Sequence, residues 1–117
     1  MSLLLSRKNK MTERKERAVN FIKELGAQFL GRENNRTSLI TVTSATVSPD
    51  LKRATIFITV LPEDKEHDAL EFAKRKRGEL REFLKKNMQT KMIPFIDIAI
   101  DLGEKNRQKI DELLREK

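Results

Sequence analysis

Ala69-Leu-Glu-Phe-Ala-Lys-Arg-Lys-Arg-Gly-Glu-Leu-Arg-Glu-Phe-Leu-Lys-Lys-Asn-Met88 reads as a helix with a fault in its middle. Leu70 and Ala73 begin an apolar stripe at helical spacing, and Leu80, Phe83 and Leu84 continue it. Between them stand Lys74, Arg75, Lys76 and Arg77, followed by Gly78. Successive helical side chains turn by about 100°, so four cations in a row leave that turn with no wholly apolar face. A glycine in a helix interior costs about 1 kcal/mol relative to alanine. It marks a kink, a cap or a close approach by another group. Two readings are open: a surface helix with a solvated charge run, or a helix–kink–helix that presents cations to phosphates. The second predicts a bend at Gly78 while Leu70, Ala73, Leu80 and Leu84 keep facing a sheet.

Upstream, Ala18, Phe21, Ile22, Leu25 and Phe29 form a stripe that predicts a first helix over 12–30. Thr12 fits its N-cap and Gly31 its C-terminal side. Residues 38–47 and 53–61 are rich in β-branched side chains and predict two strands. Ala54, Ile56, Ile58 and Val60 share one face of the second. The Ser48-Pro49-Asp50 turn joins them closely, which implies an antiparallel hairpin. An acidic loop, 62–68, leads into the faulted helix, 66–88. Downstream, Ile96, Ile98 and Ile100 alternate along a third strand over 94–101. Asp101 and Glu104 then carry the spacing of a capping box ahead of a short helix over about 103–115. The predicted order is α-β-β-α-kink-α-β plus a short C-terminal helix, an α+β fold with a three-stranded sheet and helices packed on one face.

The chain has 117 residues, enough for one domain with a real core. Residues 1–10 read as a flexible basic N-terminal arm and 11–117 as the single domain. Charged residues make up 37% and the net charge is +7, which favours a polyanionic partner, either nucleic acid or an acidic membrane surface. The excess is uneven. Residues 1–36 hold nine cations and four anions, and residues 71–92 hold eight and three, so each segment carries +5. The other two segments are weakly acidic. No apolar run approaches the ~20 residues of a membrane span, and no membrane partner is expected.

Catalytic constellations are thin. The chain has no Cys and one His, His67, which sits in a charge run and reads as an exposed helix-start residue. That excludes a disulfide framework and a typical structural zinc site, and no metal, cofactor or small-molecule substrate is expected. Gly26 and Gly31 have P-loop spacing, but Arg32 and Glu33 stand where Lys and Ser or Thr are required. Asp97 and Asp101 share a face of the third strand without a third acidic ligand nearby, and read as solvated or salt-bridged. Phe57 and Phe95 fall on the outer faces of their strands; exposed aromatics there stack bases, though such residues more often pack beneath a loop or terminal helix.

The element order resembles type II KH domains, which bind single-stranded nucleic acid through a Gly-x-x-Gly loop between two helices. That loop is missing, and Lys76-Arg77-Gly78 stands in its place. The chain resembles the ribosome-binding factor A family in Thr41-Val42-Thr43, Val47-Ser48-Pro49-Asp50-Leu51, the strand Ala54 to Val60, and Gly78-Glu79-Leu80-Arg81. Pro94-Phe95-Ile96-Asp97-Ile98 and the ending Ile110-Asp111-Glu112-Leu113-Leu114 continue the match, from about residue 11 to 115. The family usually carries Ala two residues before the kink glycine; here Lys76 adds a charge where RNA contact is expected. The resemblance implies a cytoplasmic, monomeric, non-enzymatic assembly factor. Such a factor binds the immature small (30S) ribosomal subunit and its 16S rRNA and assists rRNA 5′-end maturation, above all in the cold. The rRNA-binding residues expected on this basis and on the charge run are Lys74, Arg75, Lys76, Arg77, Gly78 and Arg81, joined by Arg14, Lys15 and Arg17. The alternative from another class is a basic α+β adaptor that binds an acidic protein surface.

Overall fold

The computed structural model describes residues 2–33, 38–88 and 92–115. Strand alternation builds its centre. β1 (Leu39–Val47), β2 (Arg53–Leu61) and β3 (Phe95–Ile100) form one sheet in the order β1-β2-β3. β1 and β2 are antiparallel from Leu39 opposite Leu61 to Val47 opposite Ala54, with a register shift between Val42 and Ser44. β3 runs parallel to β2, from Phe95 beside Arg53 to Ile100 beside Ile58. A parallel neighbour requires a crossover connection, and the segment between β2 and β3 supplies it as two helices. Ala54, Ile56, Ile58 and Val60 are buried as their period-two spacing requires, together with Ile96 and Ile98. Phe95 and Asp97 point the other way and are exposed.

α1 (Ser2–Glu33) is longer than the expected 12–30. Its backbone takes in residues 2–10, read above as an arm; Met1 lies outside the described residues. Helix formers such as Leu, Lys and Arg dominate that stretch and no Gly or Pro interrupts it. Thr12 is therefore interior to the helix, and so is Gly31. The face that meets the sheet is rotated from the expected stripe. Ile22, Phe29 and Leu30 are buried, whereas Phe21 is 50% exposed. Gly26 is the pivot: a Cβ there would lie 2.8 Å from Ile56 Cδ1, so the missing side chain lets the helix backbone close onto β2.

The faulted helix is two helices, α2 (Glu66–Arg75) and α3 (Arg77–Asn87), preceded by a 3₁₀ turn at Glu63–Lys65. The interruption falls at Lys76 (φ −89°, ψ 4°) and not at Gly78, which lies within the first turn of α3 and has no positive φ. Ala73, Leu80 and Leu84 are fully buried, Ala69 nearly so, and Leu70 packs at the core edge, as the stripe requires. In a straight helix turning about 100° per residue, Lys76 falls within about 20° of Ala69 and about 40° of Leu80. The break keeps that lysine out of the apolar stripe. The Lys76 N–H reaches the carbonyls of both Ala73 (3.1 Å) and Phe72 (3.2 Å), the bifurcated ending of α2, and the Lys76 carbonyl accepts from the Leu80 N–H at 2.9 Å to start α3.

α4 (Leu102–Arg115) buries no residue. Asp101 caps its start by accepting the Glu104 N–H at 3.0 Å. The reciprocal half of the capping box is absent: the Asp101 N–H donates to the Ile58 carbonyl at 2.8 Å, and Glu104 pairs with Arg107. Ion pairs tie α4 to the 3₁₀ turn and the start of α2, with Lys105 Nζ 3.0 Å from Glu63 and 3.1 Å from Glu66.

Candidate nucleic-acid interface

The α2–α3 junction and the first residues of β3 lie side by side. Arg77 Nε donates to the Lys74 carbonyl at 2.9 Å, and its Nη1 lies 3.3 Å from Asp97 Oδ1. Arg81 Nη2 donates to the Ile93 carbonyl at 3.1 Å, which sets its guanidinium 5.1 Å from the centre of the Phe95 ring. Lys74, Arg77, Gly78, Arg81, Phe95 and Ile96 line an open groove of about 520 Å³. A second depression, about 410 Å³, shares Arg77 and Phe95 and continues over Arg53 and Thr55 of β2. A Cβ at Gly78 would meet nothing within 4 Å, so the first turn of α3 is bare on that side.

The expected site residues divide. Lys74, Arg77, Gly78 and Arg81 meet in the groove. Arg75 is exposed on the last turn of α2 outside it. Lys76 turns back along the helices, with Nζ 3.4 Å from Glu79 and 5.8 Å from the Phe72 ring centre. Arg14, Lys15 and Arg17 are exposed on α1 and line none of the groove. α1 instead meets α3 through Phe29 and Phe83, 5.8 Å apart, with the Arg32 guanidinium 4.8 Å from the Phe83 ring. Phe95 completes the groove in place of packing beneath a loop. The period-two alternation of 95–100 marks it as outward-facing, but not as uncovered.

Asp101, Asp97 and Glu63 are engaged within the fold. Asp101 accepts hydrogen bonds from the Thr43 hydroxyl and the Glu104 N–H, and these, the hydroxyl first, hold its pKa below the ordinary value. Asp97 Oδ1 accepts the Ile98 N–H at 2.8 Å besides facing Arg77. Glu63 is held low first by Lys105 and then by Lys109, and Lys105 is raised first by Glu63 and then by Glu66. His67 is exposed in the first turn of α2. Among the described residues no three His, Cys, Asp or Glu converge as metal ligands, and no helix is long and apolar enough to cross a membrane.

The family model described as Ribosome-binding factor A matches residues 14–114. A protein of that name from Paenarthrobacter aurescens is 36% identical over 98 residues, covering 81% of this chain and 59% of that protein. The Clavibacter michiganensis protein is 34% identical, covering 88% and 64%, so the chain spans about three-fifths of the length of these relatives. The Coxiella burnetii protein is 26% identical and is covered over 89% of its length. In fold, the chain is similar to the crystal structure of ribosome-binding factor A from Thermus thermophilus, with a TM-score of 0.65 at 19% identity, covering 72% of this chain and 92% of that one. A homology model of the Thermus protein fitted into a cryo-EM map of a 30S complex has a TM-score of 0.59 at 19% identity, covering 66% and 84%.

Proposed function

The chain belongs to the ribosome-binding factor A family, and from that premise we propose that it binds the small ribosomal subunit through its rRNA as a non-enzymatic assembly factor. In this reading it docks on the immature 30S particle as a cytoplasmic monomer, assists 5′-end maturation of 16S rRNA, and matters most in the cold. The observation that carries the RNA contact is the groove in which Lys74, Arg77 and Arg81 converge beside the bare first turn of α3. Three cations in an open groove fit a phosphodiester backbone, and a soluble substrate would need an enclosing, mostly apolar pocket instead. The Thermus relative fitted into a 30S complex supports the choice of subunit.

The test is co-sedimentation with purified small subunits, against large subunits and mature ribosomes, over a salt series. Preferential binding to small subunits, weakening steeply with salt, is expected. Equal sedimentation with both subunits would sink the subunit assignment. A lysate pulldown that keeps its partner after RNase treatment would favour an adaptor for an acidic protein surface.

A further inference from the structure

A groove that only holds phosphates needs cations; this one also carries a ring. Phe95 is 71% exposed, more than any other large apolar side chain among the described residues from 13 onward. Its backbone is fixed: the Phe95 N–H donates to the Lys52 carbonyl at 2.8 Å, and the residue pairs with Arg53 in the ladder. The Arg81 guanidinium lies over one face of the ring, 5.1 Å from its centre, and is itself tied to the Ile93 carbonyl. The phenyl group therefore stands in solvent on a rigid strand, with Lys74 and Arg77 across the groove.

We propose that Phe95 is a stacking platform for one unpaired base of an RNA strand, whose flanking phosphates are taken by Lys74 and Arg77. The inference rests on the rRNA-binding reading above and adds the chemical form of the RNA. Charge complementarity selects the occupant. The groove carries three cations, and its neighbouring carboxylate, Asp97, already faces Arg77 at 3.3 Å. An apolar peptide side chain would cover the ring but bring no negative charge to Lys74, nor any to Arg77 and Arg81 beyond the partners they already have. A duplex would match the cations, but its bases are stacked internally and cannot lie on the ring. An unpaired nucleotide satisfies both the π-face and the charges. The open space beside Gly78 admits the sugar–phosphate chain against α3.

The test uses the full chain and a fluorescent unstructured RNA of about 10 nucleotides, within the range of single-strand site sizes, with a fully paired two-strand RNA duplex as the second probe. Binding of each is measured by anisotropy over a salt series. Phe95→Leu should weaken single-strand binding by about 5- to 150-fold with an unchanged salt slope. Duplex binding should be unaffected, and Phe95→Tyr should bind like the parent. Circular dichroism verifies that each variant is folded. Undiminished single-strand binding by folded Phe95→Leu overturns the platform. Equal losses on single strand and duplex, or a Tyr variant as weak as Leu, overturn it as well. The wider reading is separated by the Lys74→Ala/Arg77→Ala double variant on small subunits. If that variant loses subunit binding while Phe95→Leu keeps full single-strand affinity, only the platform fails. If the double variant binds subunits like the parent, the groove fails as an RNA site and the platform with it.

Discussion

Gly26 of α1 sits directly over Ile56 of β2, so close that a Cβ on the glycine would lie 2.8 Å from Ile56 Cδ1. Ile56 is fully buried in the core, so turning its terminal methyl aside means moving it against packed neighbours. Gly26→Ala should therefore lower stability by about 1–2 kcal/mol, the overpacking cost exceeding the helix-propensity gain. Gly78 is the contrast, because nothing lies within 4 Å of its Cβ position. Gly78→Ala should leave stability unchanged or raise it by up to about 1 kcal/mol. Denaturant midpoints of the two variants decide this. A Gly26→Ala protein as stable as the parent would show that α1 does not approach β2 so closely.

α4 depends on charge more than the rest of the chain does. Asp101 and Glu63 have their pKa values lowered from ordinary values of 3.8 and 4.5. A carboxylate lowered in the folded state contributes stability that is present above its unfolded value and lost as pH falls through the folded one. Lys105 is raised from 10.5, so its contribution is present below that value and lost as pH rises through the folded one. The α4 tether is thus complete between about 4.5 and 10.5. Acid should release α4 ahead of the sheet, since α4 buries no residue of its own. Amide resonances of 102–115 compared with those of β2, followed from neutral pH to about pH 3, measure it. Simultaneous loss of both sets contradicts the prediction.

Asp97 is the anion beside the groove, and Asp97→Asn removes its charge while keeping an oxygen for the Ile98 N–H. With Arg77 released from the carboxylate, RNA binding should tighten by up to about fivefold, the range of an exposed ion pair. Anisotropy with the single-stranded probe reads this directly. Weaker binding by the Asn variant would mean that the Asp97 pairing is what orients Arg77 for its ligand.

The sheet was legible because its rule is local. Ala54, Ile56, Ile58 and Val60 alternate with polar or outward residues, and one period places all four in the core. The rotation of α1 was harder to read, since a stripe of apolar residues counts Phe21 and overlooks Gly26. Contact is set by the residue that is absent at closest approach. The helix fault is visible in the charge run, but propensity alone places it at Gly78. The geometry of the stripe moved it to Lys76, where a charge would otherwise turn inward. Phe95 was identifiable as outward-facing, whereas its exposure depends on which elements cover the outer face of the sheet. That is a property of the whole topology. The same reason hid the split of the cations, because Lys76 and Arg77 are adjacent in sequence and part company only at the helix break.

That split yields a prediction about neighbouring residues. Arg77 lines the groove, while Lys76 lies back over Phe72 and beside Glu79. Each phosphate contact contributes a salt slope of about −0.7 on single strands and −0.9 on duplex. Arg77→Ala should therefore weaken small-subunit binding and make the slope shallower by about 0.7–0.9. Lys76→Ala should change the slope by much less than one contact's worth. Its stability should shift by no more than about 0.5 kcal/mol, since it trades an exposed pair for a better helix former. Lys105→Ala on α4 should leave the slope unchanged, because that lysine faces Glu63 and Glu66 away from the groove. Co-sedimentation of the three variants over a salt series, with circular dichroism on each, provides the comparison. If Lys76→Ala flattens the slope as much as Arg77→Ala, phosphates follow the charge run along the helix surface and the groove is not what orders them.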